Sequence, residues 1–125
     1  MIEKIFNKKI IYYATTLFVA LLVGFYGGIV DILHTPAVIY VTETLKYPLY
    51  FFTLLGVFKI LGGLALLLPQ KFTRIKEWAY AGFAFDFIFA SFSHYSVNDS
   101  IDKIVLPLVI LGILLVSYYL KDRLN

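Results

Sequence analysis

Four long apolar runs, joined by short polar links, set the plan of the chain. They cover about residues 10–30, 48–68, 78–94 and 104–120. A bilayer's hydrocarbon core of about 30 Å takes roughly 20 helical residues, so each run is long enough to predict a transmembrane helix. The first follows a basic stretch, MIEKIFNKK, as a signal peptide's apolar region would. It is longer than the ~7–15 residues of such a region and lacks an Ala-x-Ala-like ending, which predicts a retained first helix. Between the first two runs, DILHTPAVIYVTETLK is mixed. Pro36 opens a helix there, with Val38, Val41 and Leu45 at helical spacing and Thr42, Glu43 and Lys46 on other faces. A short amphipathic helix lying on the membrane surface is predicted.

Two of the runs carry a full charge near their middle, Lys59 in the second and Asp86 in the third. Each costs about 2.5–3.5 kcal/mol at the centre of a spanning helix on insertion scales. Meeting that cost twice, at matching depth in consecutive segments, predicts a Lys59–Asp86 ion pair between antiparallel helices. Such a pair can fix helix register. It can also serve as a proton relay or anchor the head group of a ligand, as ionisable residues inside a membrane tend to do.

Small and polar residues recur every three or four positions: Ala20, Gly24, Gly28 and Asp31; Thr53, Gly56, Lys59 and Gly63; Ala79, Gly82, Asp86, Ala90 and Ser93. Membrane helices associate through such stripes. Gly24, Gly28, Gly56, Gly63 and Gly82 are the expected packing glycines. A second polar group gathers where the first and third runs end, with Asp31, His34, Ser91, Ser93 and His94. It predicts a mouth for a small ligand, with Asp31, Ser93 and His94 joining Lys59 and Asp86 as candidate binding or proton-relay residues. These groups lack the spacing of a metal or haem motif, so no metal is expected.

The chain is 61% hydrophobic and only 15% charged, with mean hydropathy +0.85. A soluble domain of this size could not bury so much apolar surface. The net charge of +3 is a topology signal rather than a nucleic-acid footprint. Lys4, Lys8 and Lys9, then Lys71, Arg74 and Lys76, then Lys121 and Arg123 fall on one side, whereas the opposite loops hold only Lys46 and Lys103 beside Asp31, Glu43, Asp99 and Asp102. The positive-inside rule therefore predicts both termini in the cytoplasm. Tyr12, Tyr13, Tyr47, Tyr50, Trp78, Tyr80, Tyr95, Tyr118 and Tyr119 are expected to be interfacial aromatics. With no cysteine in the chain, disulfide exchange, thiolate metal sites and iron–sulfur ligation are excluded. Phosphate loops, serine nucleophile elbows and His-Glu-x-x-His motifs are also missing.

LKYPLYFFTLLGVFKILGGLALLLP, then IKEWAYAGFAFDFIFASFSH, then PLVILGILLVSYYLKD resemble the DoxX-like family of small bacterial membrane proteins. The resemblance covers most of the chain from about Gly24 onward, and the combination of Lys-x-x-Gly with Glu-Trp-Ala-Tyr-Ala-Gly-Phe is a fairly specific mark of it. Tyr47, Pro48, Lys59, Gly62, Pro69, Glu77, Trp78, Tyr80, Gly82, Asp86, Ser93 and His94 match the family's pattern. The resemblance implies a four-helix protein of the bacterial inner membrane. The wider group takes its name from a subunit of a thiosulfate:quinone oxidoreductase, and no catalytic role comes with the matching positions.

The expectation is one all-α domain over residues 1–125, an integral membrane four-helix bundle. Its leading function is to hold a small amphiphile such as a quinone around Lys59 and Asp86. The alternatives are a subunit of a quinone-linked oxidoreductase, which would need a redox partner protein, and a small proton-coupled transporter working as a homo-oligomer.

Overall fold

The structure is a computed structural model that describes residues 2–124, with side chains from residue 7 onward. The side chain of Lys4, used above for orientation, lies outside that range. Among the described residues every regular element is helical. α1 (Ile2–Leu17) continues through a π-helical segment (Phe18–Tyr26) into α2 (Gly27–Ile32). Then come α3 (Pro36–Leu45), α4 (Leu49–Leu66), α5 (Thr73–Ser96) and α6 (Ile101–Leu120).

Three stretches are long and apolar enough to cross a membrane: Asn7–Ile32, Leu49–Leu66 and Ile101–Leu120. α5 falls short in composition, not in length. Its 24 residues would reach about 36 Å at 1.5 Å each, but Arg74, Lys76, Glu77, Asp86 and His94 dilute the apolar run. Leu54, Phe85, Leu115 and many similar side chains point outward, a surface suited to lipid and hazardous in water. The chain is a membrane protein.

α4 packs against the π segment and α2 on one side and against α5 on the other. α5 lies along α6, which closes back on α1. Val19, Ala20, Leu66, Tyr80, Phe83 and Leu114 form the centre of the packed interior. Tyr12 and Tyr80, expected at the interface, are instead 3% exposed, because their hydroxyls find partners inside.

Several boundaries move. The first helix runs on to Ile32, which carries Asp31 inside it and buries it. α6 begins at Ile101, so Pro107 falls in its second turn, where its missing N–H leaves a carbonyl of the preceding turn without its helical donor. α3 starts at Pro36 as expected, since proline suits a first helical position. Its apolar face, however, is packed against protein: Val38 is buried, and Val41 and Leu45 line a cavity.

α2 and α5 end in the same turn. His34 and Asn98 take left-handed backbone angles, φ 52° and 56°. In each turn one N–H returns five residues, Thr35 to Val30 and Asp99 to His94. A second returns three, His34 to Asp31 and Asn98 to Tyr95. This is the Schellman arrangement, which satisfies carbonyls the helix end would leave bare. Asn and His tolerate the left-handed region better than most residues.

Candidate functional site

One face of α4 meets the first helix at backbone contact distance. A Cβ on Gly24 would lie 2.9 Å from Gly63 Cα, and one on Gly28 would lie 2.7 Å from the Gly56 carbonyl oxygen. Gly56 and Gly63 are equally confined from their own side, by the carbonyls of Gly28 and Ala20. Gly82 is different. Nothing lies within 4 Å of its Cβ position, so it does not pack a helix pair as expected; it borders a cavity.

The seam decides where the charges meet. Gly56 lets the first helix come so close that its Cβ position is 3.1 Å from Asp31 Cβ. Lys59 lies one turn along α4, about 4.5 Å in rise, and its long chain covers that distance. Lys59 Nζ sits 2.9 Å from Asp31 Oδ2. The expected Lys59–Asp86 pair is therefore corrected: Lys59 pairs with Asp31. Among the described residues no donor reaches that Asp31 oxygen in hydrogen-bonding geometry, so the charge of the Lys59 ammonium is its compensation.

Asp86 makes no ion pair among the described residues. It faces a cavity of about 1030 Å³ bounded by α4 and α5, with the π segment, α2, α3 and α6 completing the wall. Asp31, Lys59, Asp86, Ser93 and His94 all line it. The remaining wall is mostly apolar and rich in aromatics, including Phe52, Phe58, Trp78, Phe83, Phe87 and Phe89. Phe83 and Phe87 stack with centroids 6.1 Å apart. Small-molecule sites have this composition, an apolar enclosure with a few placed polar groups, although about 300–1,000 Å³ is their usual range.

The polar groups at the α3 end are held by neighbours. Ser93 shares a hydrogen bond with the Tyr47 hydroxyl. The Schellman turn after α5 folds Asp99 back, so that His94 Nδ1 lies 2.9 Å from Asp99 Oδ2. A carboxylate there favours a proton on Nδ1, and Nε2 has no hydrogen-bond partner among the described residues. The Ser100 backbone N–H and His94 together hold the Asp99 carboxyl below its usual value. His34, expected at the mouth, instead bonds through Nε2 to Thr53 at 2.8 Å and is not part of the cavity wall. Ser91 faces α6, where it donates to the Ile104 carbonyl.

At the opposite end lies a feature that the sequence did not disclose. Lys76, counted above among the basic residues that set orientation, is 2% exposed. Its ammonium donates to the Leu66 and Leu68 carbonyls and to the Tyr12 hydroxyl, at 2.9, 2.8 and 3.1 Å. These three acceptors match its three donors; the Leu66 carbonyl is one left open at the end of α4, and Leu68 lies just beyond it. Nearby, Ser117 links Tyr80 and Thr16 in a buried hydroxyl chain. The one available hint was that Lys76 follows a helix end by ten residues and faces back toward it, a pattern too common to single out.

Glu77 joins α5 to the end of α6. It accepts from Lys121 at 2.8 Å and from the Tyr118 hydroxyl at 2.8 Å. The Lys121 hydrogen bond draws the Glu77 carboxyl below its usual value, against the opposing effect of desolvation. Burial alone would depress Lys121, but its bonds to Glu77 and Asp122 outweigh that and hold it above the usual lysine range.

Compared with known proteins, the chain matches the model of the DoxX-like family over residues 14–117. No curated protein and no solved structure matches it.

Proposed function

We propose, from the premise that the chain belongs to the DoxX-like family, that it is a single-domain, four-span protein of the bacterial cytoplasmic membrane that holds a small amphiphile. In this reading α5 is the remaining span, long enough to cross and shielded from lipid at Lys76 and His94, which are buried. Both termini face the cytoplasm, because Lys8, Lys9, Lys71, Arg74 and Arg123 gather on their side.

One observation carries the binding reading. Polar groups from separate helices, Asp31, Lys59, Asp86, Ser93 and His94, line one largely apolar cavity. A buried ion pair contributes little stability by itself. An unsatisfied carboxylate beside it adds cost unless something occupies the space. An amphiphile would supply both what the polar groups lack and an apolar body for the aromatic wall. A quinone belongs to that class: its carbonyls accept hydrogen bonds, and Lys59 and the Ser93–Tyr47 hydroxyl pair are the donors at hand.

The test is gentle extraction followed by mass spectrometry of what travels with the protein. Wild type is compared with Asp31→Leu/Lys59→Leu/Asp86→Leu, which removes all three charges. An amphiphile present with wild type and missing from a still-folded variant supports the reading. A folded wild type that carries none, and takes up none when offered quinones and lipids, sinks it.

A further inference from the structure

The three charges in the cavity wall are unequal in their engagement. Lys59 and Asp31 neutralise each other at 2.9 Å. Asp86 lines the same cavity with neither an ion pair nor a hydrogen bond among the described residues. With both carboxylates ionised, the cluster carries one net negative charge. An ionised carboxylate only accepts hydrogen bonds, so the unmet demand is for a donor or a positive charge.

The surroundings of Asp86 add an independent preference. Phe83, about one turn before Asp86 on α5, and Phe87, the residue after it, are both buried and line the same cavity, as do Phe52 and Phe58 of α4. Aromatic faces attract organic cations, most strongly where water is excluded. They also accept the apolar body of such a molecule. The way in is legible too. Phe58, Trp78 and Phe89 line the cavity yet are 59%, 73% and 65% exposed, so its rim lies on the lipid-facing surface between α4 and α5.

We infer that the cavity's occupant is a lipophilic organic cation, drawn from the bilayer between α4 and α5, with its charge against Asp86 and its body against the aromatic wall. This rests on the amphiphile-binding reading and narrows it from any small amphiphile to a cationic one. Asp31 acts indirectly: by holding the Lys59 ammonium, it keeps Asp86 open to the ligand.

Trp78 is the chain's single tryptophan and borders the cavity, so its fluorescence reports occupancy without a label. The experiment titrates purified protein in a neutral detergent with tetraphenylphosphonium and, separately, with an uncharged decyl-benzoquinone. Wild type should bind the cation, and Asp86→Asn should weaken it about tenfold or more. Asp31→Asn should weaken it as well, because the freed Lys59 ammonium then turns to Asp86. The quinone should respond little to either change. Circular dichroism and gel filtration check the fold, and Asp86→Ser replaces Asp86→Asn should the latter not fold. Equal affinity of wild type and Asp86→Asn for the cation overturns the inference, as does an Asp31→Asn variant that binds like wild type. Wild type that binds the quinone but not the cation overturns it and leaves the amphiphile reading standing. Folded wild type that binds neither overturns both.

Discussion

α4 meets its two neighbours on opposite terms. Toward the first helix it offers Gly56 and Gly63, and the backbones close until a single added carbon would strike a carbonyl. Toward α5 it offers Gly62, where a Cβ would lie 2.9 Å from the Phe83 ring, together with Phe52, Phe58 and Lys59, which line about 1030 Å³ of space between the helices. Lipid tails are as apolar as leucine, so a membrane helix pair gains little from burial alone and depends on close contact. The glycine seam supplies that contact between backbones on one side of α4, whereas on the other side the Phe83 ring stands against Gly62 and room is left beside it. Rigidity and room are thus divided between two faces of one helix.

The largest break comes from Lys59, which belongs to both faces. Lys59→Met strands Asp31, 6% exposed, with no counter-charge. Removing one partner of a buried pair costs about 3–5 kcal/mol, read as a large drop in unfolding temperature in detergent. Adding Asp31→Leu should recover most of that loss, since no charge then remains buried on the seam side. A Lys59→Met variant as stable as wild type would mean that the pair lies in water and not in the protein.

Next is the seam itself. Gly56→Ala places a Cβ 2.5 Å from the Gly28 carbonyl oxygen, a contact that only a shift of the backbone relieves. Overpacking of this kind costs about 1–3 kcal/mol. The same substitution should also alter ligand binding, because Asp31 and Lys59 ride on the two helices that must separate. Unchanged stability would show that the seam is looser than its geometry.

The two faces were not equally legible in the sequence. The seam was, because its signal is local: small residues four apart on a helix must share a face. Gly24, Gly28, Gly56 and Gly63 fell where they were expected to pack. The cavity was half legible. Counting residues gives depth, and depth rightly marked Lys59 and Asp86 as deep in their helices. Which neighbour Lys59 turns to depends on the spacing between helices, and that was set by Gly56 admitting Asp31, not by any feature of Lys59. Asp31 itself was placed beyond the first span because the apolar run stops at Val30, whereas the helix continues to Ile32. The π-helical widening over Phe18–Tyr26 left no mark in the pattern, since neither proline nor a charge interrupts it. The burial of Lys76 was illegible for a related reason: a charge by itself gives no sign of a buried position, which the Leu66 and Leu68 carbonyls and the Tyr12 hydroxyl make tolerable.

A smaller effect separates both faces from the clamp between α5 and α6. Glu77, with its folded value below the usual 4.5, contributes stability that is complete above about pH 4.5 and fades as pH falls through the lower folded value. Lys121 behaves in the opposite sense, contributing fully below its usual 10.5 and losing that contribution only at higher pH. The pair is partly exposed, so Glu77→Gln should cost about 0.2–1 kcal/mol at neutral pH. The difference from wild type should vanish under acid conditions, whereas ligand binding at the cavity stays unchanged at neutral pH.

The smallest expected effect tests the comparison most sharply, because it repeats the seam substitution on the open side. Gly82→Ala adds the same carbon as Gly56→Ala, but nothing lies within 4 Å of it. Alanine is favoured over glycine in a helix interior by about 0.5–1 kcal/mol, so the variant should unfold at an equal or slightly higher temperature. Its methyl group borders the cavity beside Phe83 and Asp86, where it would trim the space without touching a charge. Stability and binding should therefore separate: Gly82→Ala keeps the fold and shifts the size of ligand accepted, whereas Gly56→Ala disturbs the fold first. A Gly82→Ala variant as destabilised as Gly56→Ala would show that the helices are as close at Gly82 as at the seam, and the contrast between the two faces of α4 would fail.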